Sequence, residues 1–192
     1  MIVFQNLVIL LICGIAVMLI HEIPKSVVAY LVTHPLYKNT TTINKNMLEY
    51  IDPVGLIIFM FYGMGWQKPY EYNPTKFRDK KKGMFAVAIA GIISNLLVMS
   101  ALIPLVGFFQ SPIINSLIVY MIRFNFSIVV VNLLPIPPLD MSKIIYCYST
   151  NAYFKLVQNQ RIIHTIFLLL LILNIVPAAV NSIFLTTIFR LL

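Results

Sequence analysis

Four long apolar runs, at about residues 2–32, 84–109, 113–134 and 162–189, limit what this chain can fold into. A helix needs about 20 predominantly apolar residues to cross a bilayer, and each run meets that length. Lipid offers no partner for backbone N–H and C=O groups, so the runs read as helices and the fold class as an all-α membrane protein. Composition agrees: of 192 residues, 60% are hydrophobic and 10% are charged, against about 25% charged in an ordinary soluble domain. Mean hydropathy is +0.90. Nothing between the runs is long enough for a soluble domain, so residues 1–192 read as a single membrane domain with a core at 2–146 and a C-terminal helical region at 160–192.

The first run lacks a basic leader and a small-residue cleavage site, and so reads as a retained span. Cys13 and Cys147 are too few and too far apart for a disulfide framework or a thiolate metal site, and are expected to be packing residues. The net charge of +8 belongs to orientation and lipid, not to nucleic acid. Lys38, Lys45, Lys68, Lys76, Arg78, Lys80, Lys81 and Lys82 all fall between the first two runs, and the connection after the second run has no basic residue. Excess Lys and Arg mark cytoplasmic loops, which predicts a multi-pass protein with its N-terminus outside and loop 34–83 cytoplasmic.

Inside the first run stand His21, Glu22 and Lys25. Ionisable groups at such depth are costly, and their presence suggests a function. Positions i and i+4 share a helix face about 6 Å apart along the axis, the spacing by which His-Glu-x-x-His holds zinc while its Glu activates water. Here the i+4 position is lysine. An ammonium has no lone pair for a metal, so the sequence carries half of a zinc motif. His34, thirteen residues past His21, is too far along the rod to replace the missing ligand and reads as a surface histidine.

Between the first two spans, residues 51–66 form an apolar stretch too short to cross, suited to a re-entrant or interfacial segment or hairpin, with Trp66, Tyr70 and Tyr72 as interface aromatics. In the second span Gly91, Ser94 and Asn95 make a small, polar stripe expected to face neighbouring helices. The third span carries Arg123, Asn125 and Asn132. Arg123 lies near its middle and needs a partner or water there. Pro135, Pro137 and Pro138 then forbid a regular helix and deliver Asp140 on stiff backbone. That carboxylate is a site candidate, with capping of a helix from Ser142 as the alternative. The last run is interrupted at Pro177 and reads as one kinked helix or two short pieces, with His164 at its start an interfacial histidine.

His21-Glu22, Asp52-Pro53-Val54-Gly55, Gly65-Trp66-Gln67-Lys68-Pro69, Asn73-Pro74, Ala90-Gly91-Ile92-Ile93-Ser94-Asn95 and Asn132-Leu133-Leu134-Pro135-Ile136-Pro137-Pro138-Leu139-Asp140 occur in this order. With them the chain resembles the site-2 protease family of intramembrane zinc metalloproteases, over roughly residues 15–146. The resemblance implies a three-helix core with one additional C-terminal span. It implies zinc as cofactor, substrates that are transmembrane segments of other membrane proteins, and cleavage within the bilayer. By position it makes His21 and Asp140 metal ligands, Glu22 the general base, and Asn95 and Asn132 substrate-binding residues. Lys25 stands in the second histidine's place, Pro24 in that of a small residue, Met141 in that of a glycine and Ile92 in that of a proline.

Two readings follow from the ligand count. In the first, Lys25 replaces the metal's charge, no metal is bound, and the protein binds or regulates membrane segments without cutting them. In the second, zinc is held by His21, Asp140 and a substitute ligand, and the chain is an active protease.

Overall fold

The computed structural model describes residues 2–40 and 46–187, so Lys45 and the end of the last apolar run lie outside the described residues. The described chain is helical, apart from loops and one isolated bridge between Thr33 and Phe77. Three helices are long and apolar enough to cross a membrane: α1 (Ile2–Val32), α3 (Lys80–Leu102) and α4 (Pro112–Asn132). A shorter α2 (Pro53–Tyr62) lies between the first two in sequence. After α4 come α5 (Asp140–Tyr148), α6 (Thr150–Gln158), α7 (Gln160–Ile172) and α8 (Ile175–Thr187), the last two forming a further apolar pair bent by 67°. The protein is therefore an integral, multi-pass membrane protein with three spans, or four if the bent pair is one.

α1, α3 and α4 pack against one another, and α2 adds to the same core. Cys13, Val17, Phe59, Phe124 and Ile128 meet there, all fully buried. Cys147 is half-buried, and both thiols are free, in keeping with packing roles. α1 continues through Pro24, which cannot donate to the carbonyl of Ile20 four residues back. Ser94 of α3 fills that vacancy, its Oγ donating to the Ile20 carbonyl at 2.7 Å. The helix carrying the unusual proline is thus repaired by its neighbour's polar stripe.

α2 starts at an Asp52 N-cap whose carboxylate accepts from the N–H groups of Val54 and Gly55 and from the Trp66 indole. It stops at Gly63, which takes the left-handed conformation at φ 69°. The chain then doubles back so tightly that a Cβ on Gly55 would lie 2.0 Å from the Trp66 carbonyl oxygen. This return brings residues 64–72 over the three-helix core.

One expectation is corrected. The C-terminal break falls at Leu173–Asn174 and not at Pro177: Asn174 adopts φ 58°, while Pro177 sits in the first turn of α8, where no intrahelical N–H is needed. Trp66, Tyr70 and Tyr72, expected as interface aromatics, are half-buried and pack on neighbouring rings. Trp66 meets Phe167 edge-on, and Tyr72 stacks on Phe77 with Tyr70 beside it. Phe167 comes from a distant segment, whereas Tyr70, Tyr72 and Phe77 are neighbours in sequence.

Candidate functional site

His21, Glu22, Lys25, Asn95, Asn132 and Asp140 come from α1, α3, the end of α4 and the start of α5, and all are fully buried. One turn of α1 presents His21, Glu22 and Lys25. Gly91 makes room for them, because a Cβ there would lie 2.7 Å from His21 Nε2 and 2.8 Å from Lys25 Cδ. The proline-rich turn after α4 sets Asp140 at the first position of α5. Its carboxylate makes no capping bond and turns inward.

Lys25 Nζ lies at the centre, donating to Glu22 Oε1 and to Asp140 Oδ1 at 2.7 Å each. Glu22 has no free oxygen: Oε1 also accepts from Gln67 Nε2 at 3.0 Å, and Oε2 accepts from the Tyr70 N–H at 2.8 Å. Gln67 and Asn132 form a reciprocal amide pair, both bonds 3.1 Å. The returning segment after α2 therefore closes directly over the Glu22 carboxylate.

A chain of amides orients His21. Asn125 donates to the Met121 carbonyl and so turns its oxygen toward Asn95, which donates to it at 2.8 Å. Asn95 then presents its own oxygen to His21 Nδ1 at 2.6 Å, which makes Nδ1 a donor. Nε2 faces Asp140 Oδ2 at 2.8 Å, a contact that needs one proton between the two atoms. In metal sites a hydrogen bond from one ring nitrogen fixes the other as the ligand. Asn95 gives His21 that orientation here, but Nε2 is spent on Asp140.

Lys143, one turn after Asp140 and absent from the sequence-based site, brings a second ammonium to 3.5 Å from Asp140 Oδ1. Two carboxylates thus meet two lysines. Burial and the charge of Lys25 pull the Lys143 amine down to about 8, against the opposing pull of Asp140 and Glu22. Burial alone would raise the Asp140 carboxyl, but Lys25, the His21 hydrogen bond and Lys143 bring it below the usual carboxylate range. Gln67, Asn125 and the Tyr70 N–H were likewise missed. The Asp140–Lys143 spacing of three was a signal available in the sequence.

These donors do not fit zinc as they stand. A catalytic zinc takes three protein ligands with lone pairs. Here an ammonium occupies the convergence point, and no group of three His, Cys, Asp or Glu side chains poised for a metal occurs among the described residues.

Helices long enough to cross a bilayer and a polar centre sealed between them define a multi-pass integral membrane protein. No protein-family model matches the chain, and no solved structure matches it. Over 140 residues it is 29% identical to the protein named "Putative zinc metalloprotease YwhC" of Bacillus subtilis (strain 168). The aligned stretch is 65% of this chain and 62% of that protein, so the chain spans less than two thirds of its relative's length.

Space around the centre is tight enough to test. Gly91→Ala should lower stability by about 1–3 kcal/mol, the usual cost of overpacking a well-filled core, because its methyl has to displace a ring and a stem that are each held at both ends. Thermal unfolding of the purified protein in detergent measures this, and an unchanged midpoint would refute the close approach.

Proposed function

We propose that this chain is a non-catalytic, site-2-protease-like membrane protein in which the Lys25 ammonium takes the place of the divalent cation. One observation carries the reading: Lys25 Nζ bridges Glu22 and Asp140 at 2.7 Å on each side. A carboxylate already accepting three hydrogen bonds is poorly placed to take a proton from water. In this reading α1, α3 and α4 are the three-helix core, α2 is a re-entrant segment, and residues 1–192 act as one membrane domain. The N-terminus lies outside and the basic loop 34–83 in the cytoplasm. His21 and Asp140 keep the positions of metal ligands and Glu22 that of the base, while Asn95 and Asn132 hold the walls of the substrate path.

The partners would be transmembrane segments of other membrane proteins. Beside Leu139, an apolar cavity of about 180 Å³ is lined by Trp66, Val131, Ile136 and Phe167, which suits a partner's aliphatic side chain. The second reading, an active zinc metalloprotease, draws its support from the relative's printed name.

Metal analysis separates the two. Full-length protein purified without chelator should hold far less than one zinc per chain, and His21→Ala and Asp140→Ala should not change that content. One zinc per chain in the parent, lost in both variants, would establish the second reading. Photo-crosslinking from position 66 in native membranes should capture transmembrane segments, and failure to capture any would remove the binding role.

A further inference from the structure

On the face of α4 turned away from the ion-paired centre, Arg123 enters a cavity of about 480 Å³ lined by Tyr62, Asn174, Asn181, Ser182 and Thr186. Its guanidinium lies over Gly63, where a Cβ would stand 2.7 Å from Nη2 and 2.8 Å from Cζ. All six acidic side chains of the protein belong to described residues, and none forms an ion pair with Arg123. Glu22 and Asp140 are held by Lys25, Asp52 caps α2, and Asp79 caps α3. Nor does the guanidinium donate a hydrogen bond to any described residue.

Gly63 is the C-cap of α2, so the guanidinium stands at the C-terminal end of that helix. A helix end supplies only about half an elementary charge, so most of a full positive charge stays uncompensated in the middle of a span. The cavity wall adds the Asn174 and Asn181 amides and the Tyr62 and Ser182 hydroxyls, which can donate to an anion, and no acid that would repel one, while the Thr186 hydroxyl already donates to the Ser182 carbonyl. The same wall has apolar members, Pro177, Ala178 and Leu185, and α8 exposes Leu185 at 46%. A ligand with an anionic head and hydrocarbon tails matches both parts.

We propose that this cavity binds the phosphate of an anionic phospholipid, with Arg123 as its charge partner, polar side chains of α8 as hydrogen-bond donors and the acyl chains along the apolar residues of α8 that share the wall. Basic pockets between membrane helices bind lipid headgroups in this way. A guanidinium also pairs with phosphate through two parallel N–H donors. The site is separate from the Lys25 centre and stands whichever reading of that centre holds.

Native mass spectrometry of the full-length protein in detergent, titrated with phosphatidylglycerol, phosphatidylcholine or inorganic phosphate, tests the assignment. Phosphatidylglycerol should bind at least about tenfold more tightly than phosphatidylcholine, whose choline cation offsets the phosphate charge and is repelled by Arg123. Arg123→Gln should abolish the difference, whereas Arg161→Gln, an exposed arginine on α7, should retain it. Equal binding of the two lipids, or a preference that survives Arg123→Gln, would overturn the proposal. Displacement by inorganic phosphate at equal concentration would make this a soluble-anion site. A Leu-Ala transmembrane peptide that competes only when it carries a glutamate would make it a protein-docking site, and either result removes the lipid assignment. If Arg123→Gln fails to fold, Asn181→Leu gives the reading, with phosphatidylglycerol affinity expected to fall about fivefold; an unchanged affinity would overturn the proposal.

Discussion

Lys25→Met should destabilise the protein by about 3–5 kcal/mol, the usual effect of removing one partner of a buried ion pair. Glu22 pairs with no other lysine or arginine among the described residues, Asp140 meets Lys25 at 2.7 Å against 3.5 Å for Lys143, and both carboxylates are fully buried. Methionine fills a similar volume, so the effect isolates charge from packing. Lys143 cannot take over for both carboxylates, since it lies 3.5 Å from Asp140 and no ion pair joins it to Glu22 among the described residues. Adding Asp140→Asn to Lys25→Met should recover a large part of the loss, because one of the two stranded charges is then neutral. Thermal unfolding in detergent of the parent, the single variants and the double variant gives the coupling directly. If Lys25→Met unfolds at the parent's temperature, the ammonium is not holding this centre together.

The coupling matters because the sequence shows the participants without their arrangement. The spans were legible from apolar length alone, which requires no knowledge of neighbours. His21 and Lys25 were legible as one helix face, and the three prolines told that Asp140 would arrive on stiff backbone. Gln67 was not, because it acts across a tertiary contact and looks ordinary in its own segment, whereas Asn125 stands out as an intramembrane amide without its partner and Lys143 by its spacing from Asp140. Gln67 reads as part of a polar loop until α2 turns back at Gly63 and sets it on Glu22. Pro24 and Ser94, 70 positions apart, are one structural unit joined at the Ile20 carbonyl. Proline is the stronger local break signal, yet the asparagine three residues before Pro177 takes the left-handed turn.

Lys25→His should convert the centre into a zinc site, with metal content rising from near none to about one per chain. The substitution puts a second imidazole one helical turn from His21, and Asp140 already stands within 2.8 Å of His21 Nε2 and 2.7 Å of the lysine nitrogen. Asn95 holds Nδ1 of His21, so Nε2 is aimed at the centre before any metal arrives. The substitution also removes one positive charge from a site that Lys143 keeps partly positive, so Lys143→Met in the Lys25→His background should tighten zinc further. Elemental analysis after dialysis against a weak chelator reads the outcome, with Asp140→Ala in the same background expected to lose the metal. If Lys25→His retains no more zinc than the parent, these side chains do not form a metal geometry and the ammonium is not a replacement for a cation. If the parent itself holds one zinc and the substitution adds nothing, lysine is acting as a ligand. The experiment therefore identifies whether one residue on α1 separates a metal-free centre from a metalloprotease-like one.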